Sequence, residues 1–468
     1  MSVSQRAESD YFSHIEAKNE KGILKEAFII NIILMLLLFI SVSSQIVAFV
    51  GGFFIITYFS ITALSKPQKA FFLIFGTKLT FDTLWQVKFD ETIDLEIKLL
   101  ELFMIPVIMT SVIGLILKKT RVKLLIPAVV IYLLWIILAI LFNEVPFDYK
   151  LLIRQSGILW GLLLGLRFIK HENQFRVLAY AIIISTFFPV LASFTQIVIG
   201  NNDIPFFHYK LDSTREVRLS GLYYDAGSAG MMAISSLLSG FYLLYTDSVK
   251  GKVKYLCILI FMFSLFIIFI GGTRSMIVVS SLILVAYMLR YLKKTIFIIP
   301  LIGIMIFFAK PQLDKAVSKS VLEMQKGFNL TQMLEETEYR TLFTGRVSIW
   351  QDIWETYNSG TFLQMLFGYG LSSNAHSSYF FLLLELGILG LLFYLLLHAL
   401  LFYKILQLNS RPVLKLAALS GLASILLVGI SLTTVIYTSY QWIIYLIVGG
   451  AINISLYEED NRYSIIKR

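Results

Sequence analysis

Three stretches of this sequence place arginine beside glycine or at the start of an apolar run. They are Arg215 and Arg218 in Arg-Glu-Val-Arg-Leu-Ser-Gly, Arg274 in Gly271-Gly272-Thr273-Arg274-Ser275, and Arg346 in Gly345-Arg346. Arginine keeps its charge when dehydrated and offers a planar, multidentate fork that matches phosphate. The two glycines before Arg274 allow a tight turn and a close backbone approach, and Thr273 can cap the helix that follows. Arg274 then falls in the first helical turn, where the dipole disfavours a cation. That placement makes sense if an anion binds beside the free N–H groups of the helix start. The plainer use of any one of these arginines is to anchor a helix end to lipid headgroups.

A second group surrounds a histidine. The segment Gly368-Tyr369-Gly370-Leu371-Ser372-Ser373-Asn374-Ala375-His376-Ser377-Ser378-Tyr379 leads into an apolar run. It puts His376 in the first turn of a helix, where N–H groups favour the neutral imidazole, the form that accepts a proton. Of the other histidines, His14, His171, His208 and His398 sit in no such context. Asp225 reads as a helix cap, and Arg154 as a second candidate for lining a pocket. Glu385 lies well inside the run after His376; it reads equally as a functional carboxylate or as a structural hydrogen-bond partner. There is no Asp-x-Asp pair, no His/Cys/Asp cluster with metal spacing and no phosphate loop of the Gly-x-x-x-x-Gly-Lys kind. If a phosphate is to be neutralised, arginine must do it; no metal and no cofactor are expected.

Helices must position these residues. Of the 468 residues 57% are hydrophobic and only 15% charged, well under the roughly 25% charge of soluble domains. The apolar residues come in runs of about 17 to 24, long enough to cross a hydrocarbon core of roughly 30 Å as helices, and a backbone crossing lipid must satisfy its own hydrogen bonds. The expected fold is all-α: a polytopic transmembrane bundle of about 12–14 spans, with no sheet and no separate soluble domain. Candidate spans cover roughly 26–43, 45–63, 69–87, 98–117, 124–142, 151–168, 177–199, 226–245, 255–270, 275–291, 295–309, 377–398, 413–434 and 437–456. The third is weakened by Lys78, Asp82 and Lys88.

Charge bias orders the spans. Lys118, Lys119, Arg121 and Lys123 form one cluster, Arg167, Lys170 and Arg176 the next. Lys250, Lys252 and Lys254 follow, then Arg290, Lys293 and Lys294, then Lys404, Arg411 and Lys415. Two spans separate successive clusters, as the positive-inside rule requires of cytoplasmic loops. The division is then a cytoplasmic tail at 1–25, spans over 26–309 with external loops at 200–225 and 271–274, a long external loop at 310–376, spans over 377–456, and a cytoplasmic tail at 457–468. Further external segments fall at 143–150 and at a tight turn near 435. The long loop contains the periodic stretch Val347–Tyr357, so short helices on the membrane surface are expected there. The net charge of +10 belongs mostly to the short cytoplasmic loops; no basic stripe with a reading motif points to nucleic acid. Cys257 is the single cysteine, which excludes an intrachain disulfide.

Taken in order, Gly272-Thr273-Arg274-Ser275, Gly345-Arg346 with Trp350, Gly368-Tyr369-Gly370 with His376, and Leu384-Glu385-Leu386-Gly387 resemble the O-antigen ligase and polymerase family. Arg218 through Gly221 resembles a further element of it, and the resemblance covers roughly residues 125–400. Two positions depart from the family pattern: Ser377 stands where Asn usually follows the histidine, and Asp225-Ala226-Gly227 where Asn-Pro-Asn is frequent. The resemblance implies a glycosyltransferase of the bacterial cytoplasmic membrane, acting on its outer face on glycans linked to undecaprenyl diphosphate. It implies diphosphate contacts from Arg274 and Arg218, with Arg215 or Arg346 closing around it, and His376 as the base. The implied partners are the lipid-linked glycan, an acceptor glycan and membrane lipid, with a chain-length regulator or flippase as further candidates. Loose motif matching points to the repeat-unit polymerase; the alternative is a ligase transferring finished glycan to lipid A core. A lipid-linked oligosaccharide flippase or other transporter is the reading from a different class. It would call for charges deep in several spans and helices broken near mid-membrane.

Overall fold

The computed structural model describes residues 3–87, 125–142, 156–199, 221–223, 225–246, 252–270, 274–291, 303, 346–370, 375–408 and 411–466. The spans expected at 98–117 and, apart from Gly303, at 295–309 lie outside the described residues, as do 143–150, most of 200–225, 271–273 and 310–345.

Among the described residues the chain is helical. In order come α1 (Val3–Ser41), α2 (Gln45–Ser65), α3 (Pro67–Phe81), α4 (Leu125–Phe142), α5 (Gly157–Phe168), α6 (Glu172–Ile199) and α7 (Ala226–Tyr245). Then follow α8 (Lys252–Ile270), α9 (Arg274–Arg290), α10 (Arg346–Asn358), α11 (Phe362–Phe367), α12 (Ser378–Leu406), α13 (Pro412–Gly429) and α14 (Thr438–Ile466). Seven of these are long and apolar enough to cross a membrane, and four shorter apolar helices accompany them. The polytopic helical bundle expected from composition is what the chain forms. Large apolar side chains such as Leu64, Leu141 and Leu289 stand more than two-thirds exposed, the surface that lipid covers. The short helices expected in the long loop are α10 and α11, and the turn expected near 435 is a single 3₁₀ turn, Thr434–Ile436.

Two contacts show how the bundle is built. Gly157, Gly161 and Gly165 recur every fourth residue along α5 and face Trp442, Leu446 and Gly449–Gly450 of α14. A Cβ at Gly161 would lie 2.7 Å from the Trp442 carbonyl, and one at Gly165 would lie 2.6 Å from the Gly450 nitrogen. The partners advance together along both helices, so the two run parallel and in backbone contact, the packing that small residues permit between membrane helices. The Asn453 amide closes the far end by donating to the Ile169 carbonyl at 2.7 Å.

The second contact explains the interrupted third span. Helix α3 ends at Phe81, and a 3₁₀ turn over Asp82–Gln86 follows. Lys78 is buried, and its Nζ lies 2.6 Å from Asp82 Oδ1, one turn further on. Two charges that would each be costly in hydrocarbon thus neutralise one another. Alongside, Pro189 inside α6 cannot donate to the carbonyl four residues earlier. That carbonyl belongs to Ser185, and Thr80 Oγ1 of α3 supplies the missing bond at 2.8 Å. Leu79 N–H donates to Ser185 Oγ at 2.7 Å, so α3 is clipped to α6 one turn before Pro189.

Candidate functional site

His376 stands just before α12, not within its first turn as the sequence suggests. The N-cap is Ser377, in extended conformation, and the helix starts at Ser378. His376 itself has φ 47°, the one left-handed non-glycine residue among those described. Such a backbone costs on the order of 1–3 kcal/mol and persists where the surroundings over-determine it. They do so here. Trp350 Nε1 of α10 donates to the Ala375 carbonyl at 2.9 Å, and Ser377 Oγ donates to the Gly429 carbonyl at the end of α13, at 3.4 Å. Ser378 Oγ lies 2.8 Å from Thr434 Oγ1 and donates to the Leu432 carbonyl at 3.2 Å. Ala375, Ser377 and Ser378 are buried, while His376 is half-buried. The ring is therefore carried on a fixed pedestal of backbone.

The starts of α7 and α9 lie at this same end of the bundle. Asp225 is the N-cap of α7, as its type and position suggest: Oδ1 accepts the Ser228 N–H at 2.7 Å. Its Oδ2 accepts the Tyr437 hydroxyl at 3.1 Å, which ties α7 to the turn that also holds Ser378. Arg274 is the first residue of α9, in the first turn as expected. A Cβ on Gly230, in α7, would come within 2.9 Å of Met276 in the first turn of α9, so the two helix starts are side by side. Arg346 opens α10 and is half-buried, one turn from Trp350. The turn 430–437 thus joins the backbone beside His376 to the Asp225 cap of α7, while α9 starts beside α7 and α10 reaches the residue before His376 through Trp350. Arg215, Arg218, Arg154 and the Arg274 side chain lie outside the described residues. The segment after Arg218 is anchored: Gly221 N–H donates to Gln196 Oε1 of α6 at 2.8 Å, and the Tyr223 hydroxyl donates to the Leu79 carbonyl of α3 at 2.8 Å.

Glu385 is buried two turns into α12, and there the helix breaks. Gly387 has φ 69° and ψ −177°. Into the break comes the backbone that follows α11: Gly368, with φ 86°, lies against the Glu385 carbonyl, and a Cβ on Gly387 would run into the Leu366 carbonyl and within 2.7 Å of the Gly368 nitrogen. Neither glycine has room for a side chain. The carbonyls freed by the break find donors, Leu384 from Tyr369 N–H at 2.7 Å and Leu386 from Trp135 Nε1 of α4 at 3.2 Å. Phe367 stacks on Trp135 with ring centres 4.8 Å apart. The Tyr369 hydroxyl donates to the Thr356 carbonyl at 2.7 Å, and Tyr357 to that of Met365 at 3.0 Å. Burial pushes both phenols up from their usual range, so they act as neutral donors. Helices α10 and α11 are thereby locked to each other and to the broken span.

Sequence reasoning passed over Tyr437, Thr434, Gln196 and Trp135. Each acts across a long stretch of chain, and none sits in a local pattern that marks it. Gly387 was visible only as part of a motif.

The fold defines a multi-pass helical membrane protein in which the start of α12 beside His376, the Asp225 cap of α7 and the end of α13 meet at one polar end. Residues 259–395 match the family model described as O-Antigen ligase. The match supports the O-antigen ligase and polymerase family, and with it glycosyl transfer of the O-antigen ligase/polymerase type as the general activity. It takes in Arg274, Arg346, Trp350, His376 and the break at Gly387. No curated protein matches the chain.

Proposed function

We propose that this chain polymerises oligosaccharide repeat units carried on undecaprenyl diphosphate, at the outer face of a bacterial cytoplasmic membrane and without a metal. The observation that carries the reading is the left-handed His376, whose flanking backbone is pinned by Trp350 of α10 and by the end of α13. In this reading the donor diphosphate lies against the arginines, Arg274 first, with Arg218 and Arg215 or Arg346 around it. His376 takes the proton of an acceptor hydroxyl. The oxygen attacks the anomeric carbon as the bond to the diphosphate breaks, with inversion. The lipid diphosphate leaves with the electron pair, and the arginines stabilise the charge that develops on it. Asp225, already accepting two hydrogen bonds, serves as a cap rather than a base. The outward orientation is supported by the opposite end of the bundle, where Arg411 meets Glu172 at 2.8 Å and Lys415 caps the Leu406 carbonyl, among the basic clusters expected inside.

A flippase reading would use the break in α12 to line a passage. Here Gly368, Tyr369 and Trp135 fill it, which favours an enzyme working at the surface. Whether the acceptor is the next lipid-linked repeat or lipid A core rests on loose motif matching, which favours the polymerase.

The test is turnover of a lipid-diphosphate-linked oligosaccharide by the full chain in nanodiscs. His376→Ala should keep donor binding near the parental value while turnover drops by roughly a hundredfold to ten-thousandfold. Arg274→Ala should lose both, and Arg274→Lys should recover little, because a point charge cannot replace the planar fork. Parental turnover should decline as pH falls below about 6–6.5, where an ordinary imidazole is protonated and cannot accept. Parental turnover in His376→Ala would end the proposal for the base. Loss in chelator with rescue by a divalent metal would end the arginine-only account of the leaving group.

A further inference from the structure

We propose that Trp350 is a positioning residue for His376: its indole N–H fixes the peptide that aims the imidazole. The proposal rests on the reading of His376 as the base. A tryptophan at a membrane surface ordinarily turns its N–H toward water and headgroups. Trp350 turns it inward, to the Ala375 carbonyl at 2.9 Å. Ala375 is fully buried, so this carbonyl is out of reach of solvent and takes its hydrogen bond from the indole. The ring is held for the task by stacking on Phe380 in the first turn of α12, with centres 5.5 Å apart and planes 14° from parallel. Trp350 therefore touches both the residue before His376 and the helix after it.

The consequence follows from backbone geometry. The Ala375 carbonyl belongs to the peptide unit whose plane sets φ of His376, and that φ is 47°. An unrestrained histidine prefers negative φ. Release of the carbonyl lets the peptide rotate toward that basin, while Ser377 is still held at Gly429 and Ser378 at Thr434. The change is thus concentrated at His376 and swings its ring, leaving the helix start in place. A displacement of about 1 Å at a reacting group can cost on the order of a hundredfold in rate.

Trp350→Phe keeps a ring to stack on Phe380 and removes the N–H. With a lipid-diphosphate-linked oligosaccharide as substrate, kcat of the full chain should fall about tenfold to a hundredfold, with donor KM within twofold of the parent. Because Trp350 acts through His376, adding Trp350→Phe to His376→Ala should cause no further loss; residues acting as one unit are non-additive. Incorporation of 3-benzothienylalanine at position 350, where sulfur replaces the N–H at nearly constant shape, should reproduce the kcat loss and keeps the test open should the phenylalanine variant fold poorly. Parental kcat with the sulfur analogue, beside an inactive His376→Ala, would overturn the positioning role and leave the base intact. A multiplied loss in the double variant would overturn it too. An active His376→Ala would instead remove the base on which the proposal rests.

Discussion

Removing Asp82 should destabilise this protein strongly, and the reason is where its partner sits. Lys78 Nζ and Asp82 Oδ1 are 2.6 Å apart, with the two side chains only 3% and 8% exposed. At that burial solvent screens little, and Asp82→Ala takes away the carboxylate that lies against the buried ammonium. Breaking a buried pair from one side costs about 3–5 kcal/mol, whereas exchanging both partners for apolar residues of similar volume ranges from neutral to about 4 kcal/mol stabilising. Thermal or denaturant unfolding of the full chain in one detergent, followed by intrinsic fluorescence, measures the difference. Asp82→Ala should be clearly less stable than the parent, and Lys78→Met with Asp82→Leu should recover the loss. The Leu79 carbonyl, which receives the Tyr223 hydroxyl, lies between the two charged residues, so the anchor of the segment after Arg218 should loosen in the single variant. Two results would refute the reasoning: an Asp82→Ala protein as stable as the parent, or a double variant no better than the single one.

At the break in α12, Gly387→Ala should cost at least about 1–3 kcal/mol for the backbone alone. Because the added Cβ meets backbone of Leu366 and Gly368 that no rotamer can move, the expected readout is loss of folded protein in membrane extracts. Gln196→Ala removes the acceptor of the Gly221 N–H and should raise donor KM severalfold with kcat near the parent; Gln196→Glu, which keeps an acceptor oxygen, should restore it. Steady-state kinetics beside Arg218→Ala decides this: a silent Gln196→Ala with an impaired Arg218→Ala shows that the arginine is positioned some other way.

What was legible in the sequence follows the range of each interaction. Helix existence and order come from apolar runs that must satisfy their own backbone, and the runs at 45–63, 124–142, 226–245 and 437–456 reappear within a few residues of α2, α4, α7 and the core of α14. The Asp225 cap and the start of α9 at Arg274 are local patterns, so they too were readable. In the sequence Lys78 and Asp82 read only as an interruption of the third span; their pairing one turn apart is a finding of the structure. His376 was placed too deep, in the first turn, whereas it precedes the N-cap Ser377. That helix start is held by Gly429 and Thr434, more than fifty residues away.

The same argument explains why the break at Gly387 could not be foreseen as a device. A glycine inside an apolar run is common in membrane helices, and nothing nearby requires it to leave the helix. The requirement comes from Gly368, which needs the space, and from Tyr369 and Trp135, which supply donors for the freed carbonyls. A break without those donors would leave unsatisfied carbonyls in hydrocarbon at several kcal/mol each. The break, the glycine that enters it and the two donors are therefore one unit, and their effect is to seat α10 and α11 on the span that follows His376. Trp350 lies on α10. The indole that fixes the Ala375 carbonyl is thus itself held in place by a glycine contact about two turns down the same helix whose start His376 precedes. Two anchor points on one span, one at its cap and one at its break, give the surface helices a single seat, and that seat is what a strained histidine needs in order to keep its aim.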